Sequence, residues 1–366
     1  MSRLVLVTGS SGFVGGHAVA AAHVAGDVRL RLLVRKPPPE TGTQVGSVRG
    51  NRTGSVPGDR TGSGAGDRTG SVRRERRERR DRIDYVQGDL TDPASLRGVC
   101  DGVDAVVHCA SQVGGDPRLL CEVNDLGTRA LVEEARRAGV ERFVYLSTAA
   151  VLGRGPFHGV RPAAAPVAPV SDTSRTRAAA ERHVLAAGGI VLRPHLVYGV
   201  GDRWVIPGVL MLLRELGAGP HGWGGRQSVV DAGTLGRALM AAALAPAAPA
   251  ARVRFVNHPE PVPGSLLMSA VADLYGLLPA SVPGIGAEAA RARVRDNPTA
   301  RHHLELLAAD HWFTDDRLWT DLGCDPGAGF AQRLSRYADW YRSRRPVPDH
   351  SRPFAALSAS AASSGS

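Results

Sequence analysis

Lysine is almost absent from this sequence, and cysteine is scarce. Lys36 is the single lysine in 366 residues, although Lys and Arg together number 45. The 4 cysteines form no Cys-x-x-Cys pair, and no histidines stand near them at zinc-ligand spacing. This pattern excludes a disulfide framework and a zinc module, so we expect no metal site and buried thiols of a reducing compartment. The cysteines are Cys100, Cys109, Cys121 and Cys324.

Long apolar runs are also missing near the start of the chain. The first apolar run, LVLV at residues 4–7, is followed at once by Thr8 and Gly9. A signal peptide needs an apolar core of about 7–15 residues, and a membrane-spanning helix needs about 20. We therefore expect a cytoplasmic protein with no membrane partner.

The excess of positive charge is concentrated in one segment. The formal net charge is +10, and residues 36–82 hold twelve Lys/Arg against six Asp/Glu. The segment contains four tandem octads, GTQVGSVR, GNRTGSVP, GDRTGSGA and GDRTGSVR, which carry almost no apolar side chains to pack. We predict disorder for residues 36–82 and for the Ser/Ala-rich tail at 347–366. Because no aromatic residues interleave with the arginines of this insert, we expect no nucleic-acid partner.

Outside the insert, short apolar runs alternate with amphipathic ones. The runs LVLVT, VRLRLLV, IDYV, DAVVHCA, RFVYLS and GIVLRP are typical of strands. The stretches that begin at Phe13, Ala94, Asn124 and Thr173 are typical of helices. Strands that are apolar nearly throughout and separated by helices indicate a parallel sheet covered on both faces. The sequence therefore predicts an α/β fold, a doubly wound Rossmann-type sheet with a smaller C-terminal lobe.

A glycine-rich stretch, TGSSGFVGGH, joins the first predicted strand to the first predicted helix. Gly9, Gly12 and Gly15 stand three residues apart. Glycine is needed where a chain turns tightly, where backbone approaches a pyrophosphate, and where a helix packs closely on a strand. The N-terminus of the helix supplies oriented N–H groups for the phosphates. The pattern predicts a dinucleotide site that includes Gly9, Ser11, Gly12, Phe13, Val14 and Gly15.

The end of the second predicted strand indicates which dinucleotide binds. An acidic residue there would accept hydrogen bonds from the ribose 2′-OH of NAD, whereas a cation accommodates the extra phosphate of NADP. The strand VRLRLLV is followed by Arg35 and Lys36, so Arg35 predicts NADP(H), with NAD(H) as the alternative. We assign residues 1–35 and 83–203 to a dinucleotide-binding domain. Residues 204–346 are expected to form mainly a substrate-binding lobe.

Several further motifs follow one another along the chain. They are QGDL at 87–90, VVHCAS at 106–111, NDLGT at 124–128, FVYLSTAAVLG at 143–153 and LRPHLVYGVGD at 192–202. Together with the glycine turn, these motifs resemble the extended short-chain dehydrogenase/reductase family, which contains nucleotide-sugar epimerases, dehydratases and ketoreductases. The resemblance runs from Leu4 to about Arg342 and is interrupted by the insert.

The resemblance implies roles for five residues in these motifs. Asp89 and Leu90 would border the adenine. Ala110 and Ser111 would line the side of the nicotinamide ribose. Thr148 would supply the hydroxyl that polarises the carbonyl of the substrate.

The catalytic tyrosine and lysine of that family are missing. In the family, the tyrosine follows the polarising hydroxyl by about 25 residues, and the lysine follows four residues later. Counted from Thr148, these positions hold Thr173 and Arg177, within the stretch SDTSRTRAAAE. We expect Arg177 to bind the ribose and to act with Thr148 and Thr173 in catalysis, because a guanidinium is always charged and carries several donors.

Because Thr173 stands in place of the tyrosine, the identity of the proton donor is left open. A threonine hydroxyl is a much weaker acid than the phenol of tyrosine, whose pKa is about 10. A water relayed by Thr148 or Thr173 is one candidate. The side chains of Tyr198, His195 and His183 are the others.

A reduction tolerates this loss better than a reaction that begins by deprotonating an alcohol. The leading hypothesis is an NADPH-dependent ketoreductase that acts on a nucleoside-diphosphate 4-keto-deoxysugar, as in natural-product biosynthesis. A nucleotide-sugar epimerase is one alternative, and a catalytically silent NADP(H)-binding sensor or scaffold is the other. Dehydration is disfavoured because Ala149 and Ala150 stand where the dehydratases carry an acidic pair.

Partners follow from the same hypothesis. A nucleotide sugar is the expected small-molecule partner, and the resemblance implies a homodimer formed through paired helices. Arginines suit the diphosphate of such a substrate because they form charge-assisted hydrogen bonds. The residues expected to bind the substrate are Ser111, His195, Arg203 and Arg226.

Overall fold

The computed structural model of the chain describes residues 2–24, 26–37, 82–247, 251–277 and 284–344. The predictions of disorder for the insert and for the tail therefore lie almost entirely outside the described residues. Within these ranges the chain forms a seven-stranded sheet, two smaller sheets and the helices that pack on them.

The main sheet is parallel throughout. Its strands are β1 (Arg3–Thr8), β2 (Val28–Val34), β3 (Ile83–Gln87), β4 (Ala105–His108), β5 (Arg142–Leu146), β7 (Ile190–Arg193) and β11 (Val253–Phe255). Their order is β11-β7-β5-β4-β1-β2-β3, and each neighbouring pair is parallel. The direction of winding reverses between β1 and β4, which opens a crevice at the carboxyl ends of these strands. The predicted doubly wound α/β fold is confirmed.

Helices cover both faces of this sheet. They are α1 (Phe13–Val24), α2 (Pro117–Leu120), α3 (Gly127–Arg137), α4 (Asp172–Ala186) and α6 (Ala232–Leu244), and a π-helical turn, Cys121–Leu126, joins α2 to α3. Val5 and Val7 of β1 pack with the apolar side chains of α1 and α6. Leu4 and Leu6 of the same strand pack on the other face with those of α3 and α4. This alternation buries both faces, as the apolar strands require.

The second lobe is built from short strands and helices. Its strands are β6 (Phe157–Val160), β8 (Leu196–Tyr198), β9 (Arg226–Gln227), β10 (Val229–Asp231), β12 (Val262–Pro263) and β13 (His311–Phe313). Four of them form a sheet in the order β12-β9-β13-β6, and β8 pairs with β10. The helices are α5 (Val205–Leu216), α7 (Gly264–Tyr275), α8 (Ala287–Arg293), α9 (Pro298–Ala308), α10 (Leu318–Leu322), α11 (Phe330–Arg336) and α12 (Ala338–Ser343). Side chains of α5, α7 and α9 form its core.

The chain passes between the two parts more than once. Strand β6 precedes residue 204 in sequence but pairs with β13 in the lobe. Strand β11 and helix α6 follow residue 204 but belong to the main sheet and its cover. At Gly236 of α6, an added Cβ would lie 2.6 Å from the backbone of His17, so α6 packs tightly on α1. None of the helices in the described ranges is long and apolar enough to cross a membrane.

Candidate active site

The glycine turn lies at the reversal point of the main sheet. Gly9 directly follows β1 with a φ of 67°, and a Cβ there would lie 2.6 Å from the backbone nitrogen of Ala110. A Cβ on Gly15 would lie 2.1 Å from the carbonyl oxygen of Gly9. The N–H of Gly12 donates to that same carbonyl at 2.9 Å. Side chains at Gly9 and Gly15 would therefore block the close approach of α1, β1 and the loop after β4.

The remaining residues of the turn differ in exposure. Ser11 and Gly12 are exposed, whereas Phe13 and Val14 are half-buried at the start of α1. A Cβ on Gly201, which follows β8, would lie 2.8 Å from the ring of Phe13. The turn thus leaves the first N–H groups of α1 facing the crevice while Phe13 contacts the second lobe.

The ends of β2 and β3 form one side of the crevice. Arg35 is exposed directly after β2. The carboxylate of Asp89 accepts the N–H and the hydroxyl of Thr91, both at 2.9 Å. The backbone hydrogen bond from Thr91 is the largest cause of a lowered pKa at Asp89, and the charge of Arg35 acts in the same direction. Leu90 is buried, and its carbonyl oxygen would lie 2.6 Å from a Cβ on Gly127.

A buried hydrogen-bonded chain supports the loop after β4. The N–H of Ala110 donates to Thr8 Oγ1 at 3.1 Å, and Thr8 Oγ1 lies 2.6 Å from His108 Nδ1. His108 Nε2 lies 2.9 Å from Thr128 Oγ1. Burial and, to a smaller extent, the nearby charge of Arg177 lower the pKa of His108 to about 3, so the imidazole is neutral near pH 7. The chain fixes Ala110 against the end of β1, beside the glycine turn.

Asn124 is a residue of the site that sequence reasoning did not single out. Its Oδ1 accepts the hydroxyl of Ser111 at 3.1 Å and the N–H of Gln112 at 2.8 Å. Its Nδ2 donates to Thr176 Oγ1 on α4 at 3.0 Å. The motif NDLGT contained the signal, but its long-range contacts could not be read from it. Because the Ser111 hydroxyl already donates within the protein, Ser111 offers a substrate only acceptor capacity.

Thr148 lies at the end of β5, half-buried, where the chain enters a 3-10 turn, Ala149–Leu152. Its hydroxyl oxygen accepts the N–H of Ala150 at 3.2 Å. The N–H of Ala149 donates to the carbonyl oxygen of Pro194 at 2.8 Å, which ties the turn to the end of β7. The hydroxyl of Thr148 is thus held at the carboxyl edge of the sheet.

Helix α4 brings Thr173 and Arg177 to the same edge. Ser171 caps the helix together with Ser174, so the stretch is indeed a capped helix start. Thr173 Oγ1 accepts the N–H of Gly114 at 3.1 Å. Arg177 Nη2 donates to the carbonyl oxygen of Leu146, two residues before Thr148. Thr173 therefore contacts the loop after β4, and Arg177 contacts the end of β5.

The guanidinium of Arg177 has unused donor capacity. Its carbon lies 6.0 Å from the ring centroid of Tyr145, and its Nε is buried without a hydrogen-bond partner. Burial raises the pKa of Tyr145, which therefore keeps its proton. A buried N–H without a partner is costly unless a ligand satisfies it. The unpaired Nε of Arg177 can donate to a ribose hydroxyl, and the glycine turn at Gly9 lets the backbone approach a pyrophosphate. The residues present therefore fit a dinucleotide cofactor.

Burial, protonation state or position on the helix disfavours three of the candidate proton donors. Tyr198 is buried in the core of the second lobe, 5.0 Å from the Phe330 ring, and burial raises its pKa far above 10. Burial lowers the pKa of His195 to about 3, so it is neutral near pH 7 and is not an imidazolium acid. His183 binds Asp125 at 2.7 Å and lies ten residues after Thr173, about 15 Å along the helix.

Three of the four residues expected to bind the substrate lie around the second lobe, whereas Ser111 lies in the loop after β4. The ring of His195 stacks on His311 with centroids 5.7 Å apart, and its Nε2 lies 3.4 Å from Gln227 Oε1. Arg203 is exposed at the start of α5. The guanidinium of Arg226 lies 4.4 Å from a ring centroid of Trp312 and is about half exposed. Among the described residues, no group of three or more His, Cys, Asp or Glu could hold a metal ion.

A doubly wound parallel sheet with a glycine turn at its reversal point defines a dinucleotide-binding α/β protein. A sequence model of the NAD dependent epimerase/dehydratase family matches residues 5–231. The chain belongs to this family of NAD(P)-dependent oxidoreductases, as the motifs predicted.

Relatives of known name resemble the chain at moderate identity. The 2-alkyl-3-oxoalkanoate reductase of Stenotrophomonas maltophilia is 29% identical over 69% of this chain and 85% of that protein. Sterol-4-alpha-carboxylate 3-dehydrogenase (decarboxylating) of Saccharomyces cerevisiae is 32% identical, over 41% of this chain and 46% of its own length.

Solved structures share the fold. A putative epimerase from Burkholderia cenocepacia superposes with a TM-score of 0.65 and 19% identity, over 94% of this chain and 99% of its own. UDP-glucuronic acid 4-epimerase from Bacillus cereus, solved with NAD, superposes with a TM-score of 0.63 and 18% identity, over 93% of this chain and 99% of its own. At these sequence identities the similarity shows a shared fold and nothing finer.

Proposed function

We propose that this chain reduces a ketone with NADPH and that Thr148, Thr173 and Arg177 carry the reaction. One observation carries the proposal: the hydroxyls of Thr148 and Thr173 each accept a backbone N–H, and neither donates to another residue in the described ranges. Both hydroxyl protons are therefore available to an oxygen atom in the crevice. Two oriented donors suit a carbonyl that gains negative charge as it is reduced.

Arg177 binds the cofactor in this proposal, and it does not supply the proton. When bound, the nicotinamide supplies the hydride. Arg177 offers its unpaired Nε and its remaining N–H groups to the ribose hydroxyls, and it keeps a positive charge at the sheet edge because a guanidinium does not titrate. The proton reaches the alkoxide from water through a threonine hydroxyl, since Tyr198 is buried in the core of the second lobe and His195 is neutral near pH 7.

Reduction is favoured over the epimerase alternative by the acid–base groups. An epimerisation that begins with the oxidation of an alcohol needs a base to remove its proton. No tyrosinate stands at residue 173, and a threonine hydroxyl does not ionise near neutrality. Ala149 and Ala150 leave no acidic pair for dehydration.

The expected cofactor is NADPH. Arg35 is exposed at the end of β2, where a 2′-phosphate requires a cation, and no acidic residue follows that strand directly. Several solved relatives in fold hold NAD, so NADH is the necessary comparison. A preference for NADH that persists in Arg35→Ala would contradict this assignment.

The proposed substrate is a nucleoside-diphosphate 4-keto-deoxysugar. Arg203 is exposed, and the guanidinium of Arg226 lies over the Trp312 ring, with Nε 3.9 Å from Asp310 Oδ1. A planar guanidinium fixed in this way can bind a diphosphate with two hydrogen bonds. Solved relatives in fold carry UDP-glucuronic acid and UDP-glucose, which is consistent with this substrate class.

A 3-oxo carboxylic acid is the second candidate substrate. The reductase of Stenotrophomonas maltophilia is named for a 2-alkyl-3-oxoalkanoate, and the alignment spans 85% of that protein. Val113, beside the Gly114 that binds Thr173, is 49% exposed, and Val170, three residues before Thr173, is 41% exposed. Apolar side chains beside the proposed catalytic hydroxyls suit an alkyl group better than a sugar.

The deciding experiment follows the absorbance of the reduced nicotinamide with the purified full-length chain. The substrates are a thymidine-diphosphate 4-keto-6-deoxysugar and a 2-alkyl-3-oxoalkanoate, each with NADPH and with NADH. Turnover of one ketone supports the proposal and names the class. Interconversion of UDP-sugars by the chain with copurified NAD would indicate the epimerase. Tight NADPH binding without turnover of either ketone would indicate the silent sensor or scaffold.

A homodimer is part of the proposal. Leu119 and Leu126 are exposed on the helical segment at 117–137, which includes the π-helical turn Cys121–Leu126. Exposed apolar side chains on paired helices suit a second copy of the chain. Light scattering on the full-length chain should give twice the chain mass of 38.5 kDa, and Leu126→Glu should shift it to the monomer.

A further inference from the structure

Three polar side chains meet behind the candidate site in a region closed to solvent. Glu181 lies on α4, Ser147 follows β5, and Arg193 ends β7; the three are between 1% and 3% exposed. Ser147 Oγ donates to Glu181 Oε1 at 2.5 Å, and Arg193 Nε donates to the same oxygen at 2.9 Å. Arg193 Nη2 binds the other oxygen, Oε2. These three residues are called the Glu181 clamp below.

A buried ion pair of this kind needs a reason beyond stability. Removing two charges from water is expensive, and apolar residues of similar volume often stabilise a core as well or better. What a fully paired carboxylate provides is orientation, because its hydrogen bonds are short and directional. The Glu181 clamp joins one helix to two strand ends, so its orientation fixes how these three elements meet.

The elements joined by the clamp are those that carry the proposed catalytic groups. Glu181 stands four residues after Arg177 and eight after Thr173, on the same face of α4. Ser147 directly precedes Thr148, and its N–H donates to the carbonyl oxygen of Leu192 at 2.8 Å. Rotation or sliding of α4 that moved Arg177 away from the end of β5 would therefore also break the clamp.

We propose that Glu181 is a positioning residue, which acts through Ser147 and Arg193 to set the location of Thr148 relative to Thr173 and Arg177. The inference deepens the proposed function and rests on it. Glu181 does not touch the substrate or the cofactor. Its effect is to keep the hydroxyl of Thr148 within reach of the same oxygen atom as that of Thr173.

A double-mutant cycle tests the inference on the full-length chain. Ser147→Ala keeps the ion pair and removes only the hydrogen bond to the end of β5. We expect kcat for the ketone to fall about 10- to 100-fold, as for a small misplacement of a catalytic group, with an unchanged Kd for NADPH. In a Thr148→Ala background the same change should cost nothing further, because Ser147 acts through Thr148. Losses that multiply instead would overturn the proposal.

A second measurement does not depend on turnover. Hydrogen exchange at the amides of residues 149–152 should become several-fold faster in Ser147→Ala, while exchange in α1 stays unchanged. Ser147→Cys, which keeps the shape and a weak donor, should give an intermediate rate if Ser147→Ala folds poorly. If the wild-type chain turns over no ketone, the proposed function fails. Hydrogen exchange alone then still tests whether the Glu181 clamp positions residues 149–152. Unchanged exchange at 149–152 would overturn it.

The chain offers a matched control in another buried ion pair. Arg254 binds Asp315 through two hydrogen bonds of 2.7 Å, and the side chains are 3% and 9% exposed. Asp315→Asn should lower the thermal stability as much as Glu181→Gln does. It should leave kcat and the exchange of residues 149–152 at their wild-type values. An equal loss of kcat in both variants would show that the clamp contributes only stability.

Discussion

Replacement of Arg177 gives the most direct test of the site. Its guanidinium is held by the carbonyl oxygen of Leu146, and its buried Nε has no partner in the protein. If the ribose hydroxyls satisfy that donor, Arg177→Ala removes at least one charge-assisted hydrogen bond to the cofactor, worth about 1.5–3 kcal/mol. The Kd for NADPH should therefore rise roughly 10- to 150-fold. Titration of the fluorescence of bound NADPH measures this change without any ketone.

Two further variants make the result interpretable. Arg182→Ala removes an exposed arginine from the same helix and should leave the Kd unaltered. Arg177→Lys restores the residue type found in the related enzymes and should recover most of the affinity, because an ammonium also carries several donors. If Arg177→Ala binds NADPH as tightly as the wild type and turns over at the normal rate, Arg177 does not contact the cofactor, and the assignment of α4 to the site is wrong.

Other predictions follow from single contacts. Gly9→Ala should abolish NADPH binding because its Cβ would lie 2.6 Å from the nitrogen of Ala110, whereas Gly102→Ala, at a φ of 69° but in open space, should lose only stability. Thr148→Ala should lower kcat about 100-fold with an unchanged Kd for NADPH, and Thr148→Ser should restore it; equal rates in all three would refute a role in catalysis. His108, with a pKa lowered from 6.5 to about 3, binds fewer protons folded than unfolded between these values. Stability should therefore fall as the pH decreases through that window, by about 1.4 kcal/mol per unit, and a urea midpoint independent of pH would exclude this.

Features with a local cause could be predicted from the sequence. The glycine turn followed from the spacing of Gly9, Gly12 and Gly15 between a strand and a helix, because Gly12 and Gly15 approach the backbone of Gly9 within a few residues. The approach of Gly9 to the distant Ala110 was not part of that pattern. Counting from Thr148 to Thr173 and Arg177 also led to the start of α4, where Thr173 contacts the loop after β4 and Arg177 contacts the end of β5. Such counting works when the elements on either side are fixed by the sheet.

Features that depend on distant partners could not be predicted. Strand β6 pairs with β13, about 150 residues later, and neither short run has a hydrophobic periodicity that predicts this contact. The same holds for Asn124, whose amide connects two segments, and for His195, which acquires its low pKa from burial beside His311. Nothing in the local sequence distinguishes such a histidine from one that faces the crevice. Burial is set by the packing of the lobe, which short motifs do not encode.

The exchange of tyrosine and lysine for Thr173 and Arg177 has a consequence for the pH dependence of the reaction. A phenol tuned by an ammonium titrates within the working range of such an enzyme, whereas a threonine hydroxyl and a guanidinium do not. His195 and Tyr198 do not titrate near neutrality either, since burial lowers the pKa of the first to about 3 and raises that of the second. If water supplies the proton through a threonine, kcat for reduction should be constant between about pH 6 and pH 9. A decrease that follows a single ionisation in that range would reveal a protein acid, and the water relay would have to be abandoned.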